Sequence, residues 1–114
     1  MNDFIEKPID TKVRETALRI MERALFYNST RTQREYTNSK PTFLVWFSGH
    51  TGNLEVRIYE NGWKLGDESE YFTVYLSERG YNGTSDEIQS ELVLVLKRME
   101  EIYKNWYEKE YPNE

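Results

Sequence analysis

Between residues 85 and 109, apolar side chains recur at a spacing that one kind of element can bury. Ile88, Leu92, Val95, Met99, Ile102 and Trp106 follow one another at intervals of four, three, four, three and four, which places all six on one stripe of an α-helix. Leu96 and Tyr103 widen that stripe. Thr84, with Glu87 three residues on, fits a capping box, and Asp86 adds negative charge to a first turn where the helix dipole favours it. A helix of this length spans about 37 Å, against about 23 Å for a seven-residue strand. Its last turns, with Trp106, Tyr107 and Tyr111, are therefore expected to overhang a sheet or cover its end.

A second helical stripe lies near the start. Val13, Ala17, Ile20, Ala24 and Tyr27 recur at four, three, four and three, with Asp10 placed to cap the helix and Met21 and Leu25 expected to broaden its apolar side. The stretch 28–41, "NSTRTQREYTNSKP", has no apolar period and stops at Pro41. It reads as a polar, mobile loop, made locally basic by Arg31, Arg34 and Lys40.

Strands fill the middle. "TFLVWFS" (42–48) is apolar at both parities, the pattern of a central or doubly covered strand. Gly49 to Gly52 make a turn, and "LEVRIYE" (54–60) then alternates Leu54, Val56 and Ile58 with Glu55, Arg57 and Tyr59. Asn61-Gly62 is a strong hairpin signal, after which Trp63 and Leu65 would begin a short returning strand. "EYFTVYLS" (70–77) alternates Phe72, Val74 and Leu76 with Tyr71, Thr73 and Tyr75. The order α-β-β-(β)-β-α gives an α+β two-layer sandwich in one domain, an antiparallel sheet of three or four strands with both helices on one face. The other face would carry Tyr59, Tyr71 and Tyr75 beside Glu55, Arg57 and Thr73, and the face taken by Trp46 depends on register.

Composition narrows the function. The absence of cysteine removes disulfides, thiolate metal sites and thiol nucleophiles. With no apolar signal core and no run near the length of a membrane span, the chain is expected in the cytoplasm. His50, the sole histidine, sits between glycines in a turn, where a catalytic base would lack a built partner. No phosphate-loop pattern occurs, and the Asp67–Glu70 turn lacks the spaced ligands of a calcium loop. No catalytic residue, metal or cofactor is expected.

Charge points to a partner. Residues 1–57 hold nine Lys/Arg and seven Asp/Glu (+2), whereas 58–114 hold six and thirteen (−7). An acidic half disfavours direct binding to a phosphate backbone and suits a basic protein surface. The strand order and Gly49-His50 are similar to the double-stranded-RNA-binding domain. That family grips phosphates with lysines at the start of its last helix, where this chain has Ser85-Asp86-Glu87. The expected contact residues are the tyrosine face (Tyr59, Tyr71, Tyr75), the acidic turn (Asp67, Glu68, Glu70), Glu100 and Glu101, and the C-terminal run Trp106, Tyr107, Glu108, Glu110 and Tyr111.

The helix–strands–helix order, the acidic turn at 67–70 and the aromatic-acidic run from Trp106 resemble small acidic proteins of phages and mobile elements. Among these are anti-CRISPR proteins that inhibit an RNA-guided nuclease. That resemblance implies a non-enzymatic inhibitor whose acidic surface acts as a DNA mimic on a nucleic-acid enzyme. The rival expectations are a homodimer through the tyrosine-rich sheet face and a weak single-stranded nucleic-acid binder.

Overall fold

The computed structural model describes residues 9–28, 40–63, 68–77 and 83–112. In it the chain runs α1 (Thr11–Asn28), β1 (Thr42–Ser48), β2 (Asn53–Tyr59), β3 (Glu70–Tyr75) and α2 (Ser85–Glu110). The strands form an antiparallel sheet in the order β1-β2-β3, so the fold is of the α+β class. Residues 29–39 of the polar loop, with Arg31, Arg34 and Glu35, lie outside the described residues, as do Leu65 and Asp67.

Both helices begin on side-chain caps. Asp10 Oδ2 accepts the backbone N–H groups of Lys12 (3.0 Å) and Val13 (3.3 Å). Thr84 Oγ1 accepts the N–H of Glu87 (3.2 Å), and Glu87 Oε1 accepts that of Thr84 (3.3 Å), a reciprocal capping box. The buried stripe of α1 is the expected Val13, Ala17, Ile20, Ala24 and Tyr27. That of α2 is Ile88, Leu92, Val95, Met99 and Ile102.

Register decides which side chains those stripes meet. The inner rows are Phe43–Ile58–Glu70, Val45–Val56–Phe72 and Phe47–Leu54–Val74. Phe43, Leu54, Val56, Ile58 and Val74 are buried in the same core as the helix stripes. A hydrogen bond from Gln89 Nε2 to Thr16 Oγ1 (2.7 Å) joins the two helices. Tyr27 of α1 stacks on Tyr103 of α2, with ring centroids 4.2 Å apart. At the far end of α1, the side-chain amide of Asn28 binds both backbone polar groups of Phe43.

Two expectations change. β1 is an edge strand rather than a central one, and its second apolar parity faces solvent. Apolar residues at both parities cannot distinguish a strand covered on two sides from one left open. The returning strand expected from Trp63 to Leu65 falls largely on residues 64–67, which lie outside the described residues. The Gly62 N–H closes a turn on the Tyr59 carbonyl (3.1 Å), and Trp63 is exposed outside the sheet. Met21 and Leu25 do not broaden the buried stripe of α1, for both are exposed. Among the described residues no helix is long and apolar enough to cross a membrane.

Leu54, on the inner row of the central strand and 2 % exposed, is expected to cost about 2–5 kcal/mol on replacement by Ala, read from chemical denaturation. Burial first, and Glu100 second, hold the Tyr27 phenol above its ordinary value of 10.0. The contribution of this neutral phenol is intact below about pH 10 and is lost above it, where the unfolded chain ionises first. Tyr27→Phe should lose less stability than the parent as the pH rises above about 10 in denaturant titrations.

Candidate protein-interaction surfaces

The sheet face away from the helices is open. Its rows are Leu44–Arg57–Tyr71, Trp46–Glu55–Thr73 and Ser48–Asn53–Tyr75. Trp46 therefore lies on this face, and Leu44, Trp46, Tyr71 and Tyr75 are all exposed there. Arg57 projects from the central strand between two rings. Its guanidinium carbon is 5.5 Å from the Trp46 ring centre and 5.0 Å from that of Tyr71, so each ring offers its negative face to the cation. The Tyr71 hydroxyl donates to Glu55, and Thr73 Oγ1 is buried on this face with no hydrogen-bond partner among the described residues. Tyr59, expected beside these tyrosines, is instead buried at the end of β2.

A second locus forms where the end of the sheet meets α2. Arg98 binds Glu70 through two bonds, Nε to Oε1 and Nη2 to Oε2, each 2.8 Å. Its Nη1 binds Glu101 at 2.8 Å, and Glu60 lies 3.9 Å away. The hydrogen bonds it donates to Glu70 raise the affinity of this guanidinium for its proton beyond an already high value. A cleft of about 440 Å³ brings Glu60 and Glu70 together with Glu68 and Tyr59. A smaller one of about 90 Å³ places Glu60 beside Trp106, Lys109 and Glu110. Glu60 borders both, so five carboxylates gather around Arg98 and Lys109.

The overhanging end of α2 carries a chain of rings. Tyr103 lies 5.6 Å from Trp106, Trp106 6.1 Å from Tyr111, and Tyr107 4.8 Å from Tyr111. Through Tyr103 and Tyr27 the chain continues into the core at Phe43. Lys40 Nζ stands 5.2 Å from the centre of the Trp106 ring. Trp106 is thus half-buried, while Tyr107 and Tyr111 are exposed.

The residues expected to form one contact surface divide into several sets. Tyr71 and Tyr75 face out from the open sheet, whereas Glu70 is on the helix side and is held by Arg98. Glu101 points to the Arg98 cluster, but its neighbour Glu100 acts on Tyr27 beside α1. Consecutive helical positions diverge by about 100°, so the pair cannot act together. Glu108 is exposed and 3.9 Å from Lys104. Sequence reasoning placed Arg57 on the open face without giving it a role, and did not single out Arg98 or Asn28. Arg57 had a readable signal, a lone cation alternating with the apolar row of its strand, but its ring partners follow from pairing. Among the described residues no group of His, Asp or Glu could hold a metal ion, and His50 is exposed in its turn.

Comparison with protein-family models, with curated proteins and with solved structures finds no match.

Arg98 and Glu70 are each about one-third exposed in their side chains, so solvent screens much of their attraction. Arg98→Met is expected to destabilise the fold by about 1 kcal/mol. The deficit should shrink in high salt when both proteins are unfolded by urea at several ionic strengths.

Proposed function

We propose that the protein is a non-catalytic, cytoplasmic protein-binding module that docks a basic surface of its partner at the acidic end around Arg98. The observation that carries this reading is the convergence of Glu60, Glu70 and Glu101 on a single guanidinium, with Glu68 lining the same cleft as Glu60 and Glu70. With one cation among four carboxylates the cluster keeps a net negative charge, and Arg98 orders it. A carboxylate set fixed in this way offers regularly placed acceptors to Lys and Arg side chains. Trp106, beside Glu60 and Glu110, adds an aromatic anchor at its margin.

A partner that normally grips phosphates presents a matching field, so the reading extends to inhibition of a nucleic-acid-binding protein by occupation of its groove. The resemblance to phage and mobile-element inhibitors leans the same way, and implies a bacterial host cell. The open tyrosine face is a separate surface and is not required by this reading.

Binding governed by these carboxylates should weaken steeply with ionic strength, because charges at an exposed interface are screened beyond about 10 Å at 0.1 M salt. The immobilised protein is expected to retain bacterial lysate proteins at about 0.05 M salt and to release them at about 0.5 M. Excess duplex DNA should compete for the same proteins. The triple substitution Glu60→Gln, Glu68→Gln and Glu101→Gln should abolish retention. Capture that ignores salt or DNA, or that persists in the triple variant, would refute the proposal.

A further inference from the structure

Natural sheets protect their edges with charge, proline, bulges or a covering element, because an edge strand offers unpaired N–H and C=O groups to any other strand. β1 carries none of the sequence devices. Its seven residues, Thr42–Ser48, include no charged residue, no proline and no glycine. Three of its large apolar side chains remain exposed, Leu44 at 38 %, Trp46 at 37 % and Phe47 at 45 %. The other edge, β3, is shorter and opens with Glu70, which α2 holds through Arg98.

The backbone polarity of β1 follows from one contact. Asn28 donates to the Phe43 carbonyl and accepts the Phe43 N–H, so these groups point away from β2. Outward and inward groups alternate along an antiparallel strand. Those of Val45 and Phe47 therefore also point to the outer edge, where no hydrogen bond reaches them among the described residues.

A second, independent feature lies on the same side. Leu18, Met21 and Leu25 are spaced by three and four on α1, and are 58, 36 and 73 % exposed. At about 100° per residue they fall within about 80° of Asn28 around the helix, and about 140–180° from Thr16. Asn28 grips the outer edge of β1, and Thr16 faces α2. The stripe thus overhangs the β1 edge, on the flank of α1 away from α2. Together the six exposed side chains present roughly 500 Å² of apolar surface per copy, and about 1,000 Å² in a symmetric pair before backbone is counted, which reaches the range of specific interfaces.

We propose that β1 pairs antiparallel with β1 of a second copy, making a continuous six-stranded sheet, with the two α1 stripes packing over the junction. A second copy fits because the surface is self-complementary. A two-fold axis sets uncharged strand on uncharged strand and leucine stripe on leucine stripe, with no like charges opposed within β1. Asn28 sets the register. It already occupies Phe43, so the free groups of Val45 bond to Phe47 of the second copy and those of Phe47 to its Val45. The axis then passes at Trp46, which meets Trp46 of the second copy on the open face. This surface does not include the Arg98 cluster, and the proposal stands apart from the acidic docking reading.

The chain has no cysteine, so a single introduced one reports the register. In the proposed pair residue 46 faces itself at a non-hydrogen-bonded position, with Cα atoms about 4.5 Å apart, inside disulfide range. Mild oxidation should cross-link Trp46→Cys into a covalent dimer and leave Ser48→Cys, four strand positions from its own copy, uncrosslinked. Sedimentation of the parent protein at about 100 μM should give about twice the 13.7 kDa chain mass. Leu18→Glu with Leu25→Glu alters exposed positions and should raise the dimer dissociation constant at least about 100-fold with the circular dichroism of the monomer fold retained. Phe47→Pro, which removes an outward N–H, should do the same. A parent that stays monomeric at 100 μM would overturn the proposal. So would a dimer that ignores the α1 double substitution, or equal cross-linking through residue 48.

Discussion

Both helices rest on one row of three side chains. Leu54, Val56 and Ile58 project from the central strand and are buried to within 2 % of complete, because α1 and α2 close over them from either side. A three-stranded sheet has a single central strand, so this row is the floor that the two helix stripes share. The opposite parity of the same strand carries Glu55 and Arg57, which cannot enter an apolar core without a large desolvation cost. That alternation fixes which face is closed and which stays open. The Trp46–Arg57–Tyr71 arrangement is its direct consequence.

The carboxylates of the chain are sorted by the fold rather than displayed as a field. Glu55 is engaged by Tyr71, Glu70 and Glu101 by Arg98, and Glu100 lies toward Tyr27. Net charge read along the sequence therefore overstates how many carboxylates can meet a partner together. What remains concentrated is the end near Glu60, where two clefts share Glu60 and Asn61. There the turn after β2 brings together carboxylates far apart in the chain.

Local periodicity made the helices legible. The five buried residues of α1, the capping box at Thr84 and the alternation of β2 are all visible as spacings over a few turns or pleats. Strand order is not a local property. "TFLVWFS" has the same pattern whether it lies at the centre or at the edge, so its exposed side went unread, as did Met21 and Leu25 above it. Arg98 acquires meaning when Glu60 and Glu70 arrive from the turn after β2 and from β3, and Asn28 when β1 folds back against the end of its own helix. The candidate surfaces consist of such long-range meetings, and for that reason little of them could be read before the fold was known.

The bond between Thr16 and Gln89 joins positions 73 residues apart. The two strand pairings, by contrast, are closed by neighbours in the chain, Ser48 with Asn53 and Ile58 with Glu70. Loop-closure entropy separates these events in time. The strands can find one another, and α1 can dock on β1, through short connections, while the meeting of α1 with α2 must wait for a ring of chain that contains the whole sheet. A nascent or partly unfolded molecule therefore exposes the underside of Leu54, Val56 and Ile58 until both ends of the chain have returned, and the speed of that return governs how long its core stays open to solvent.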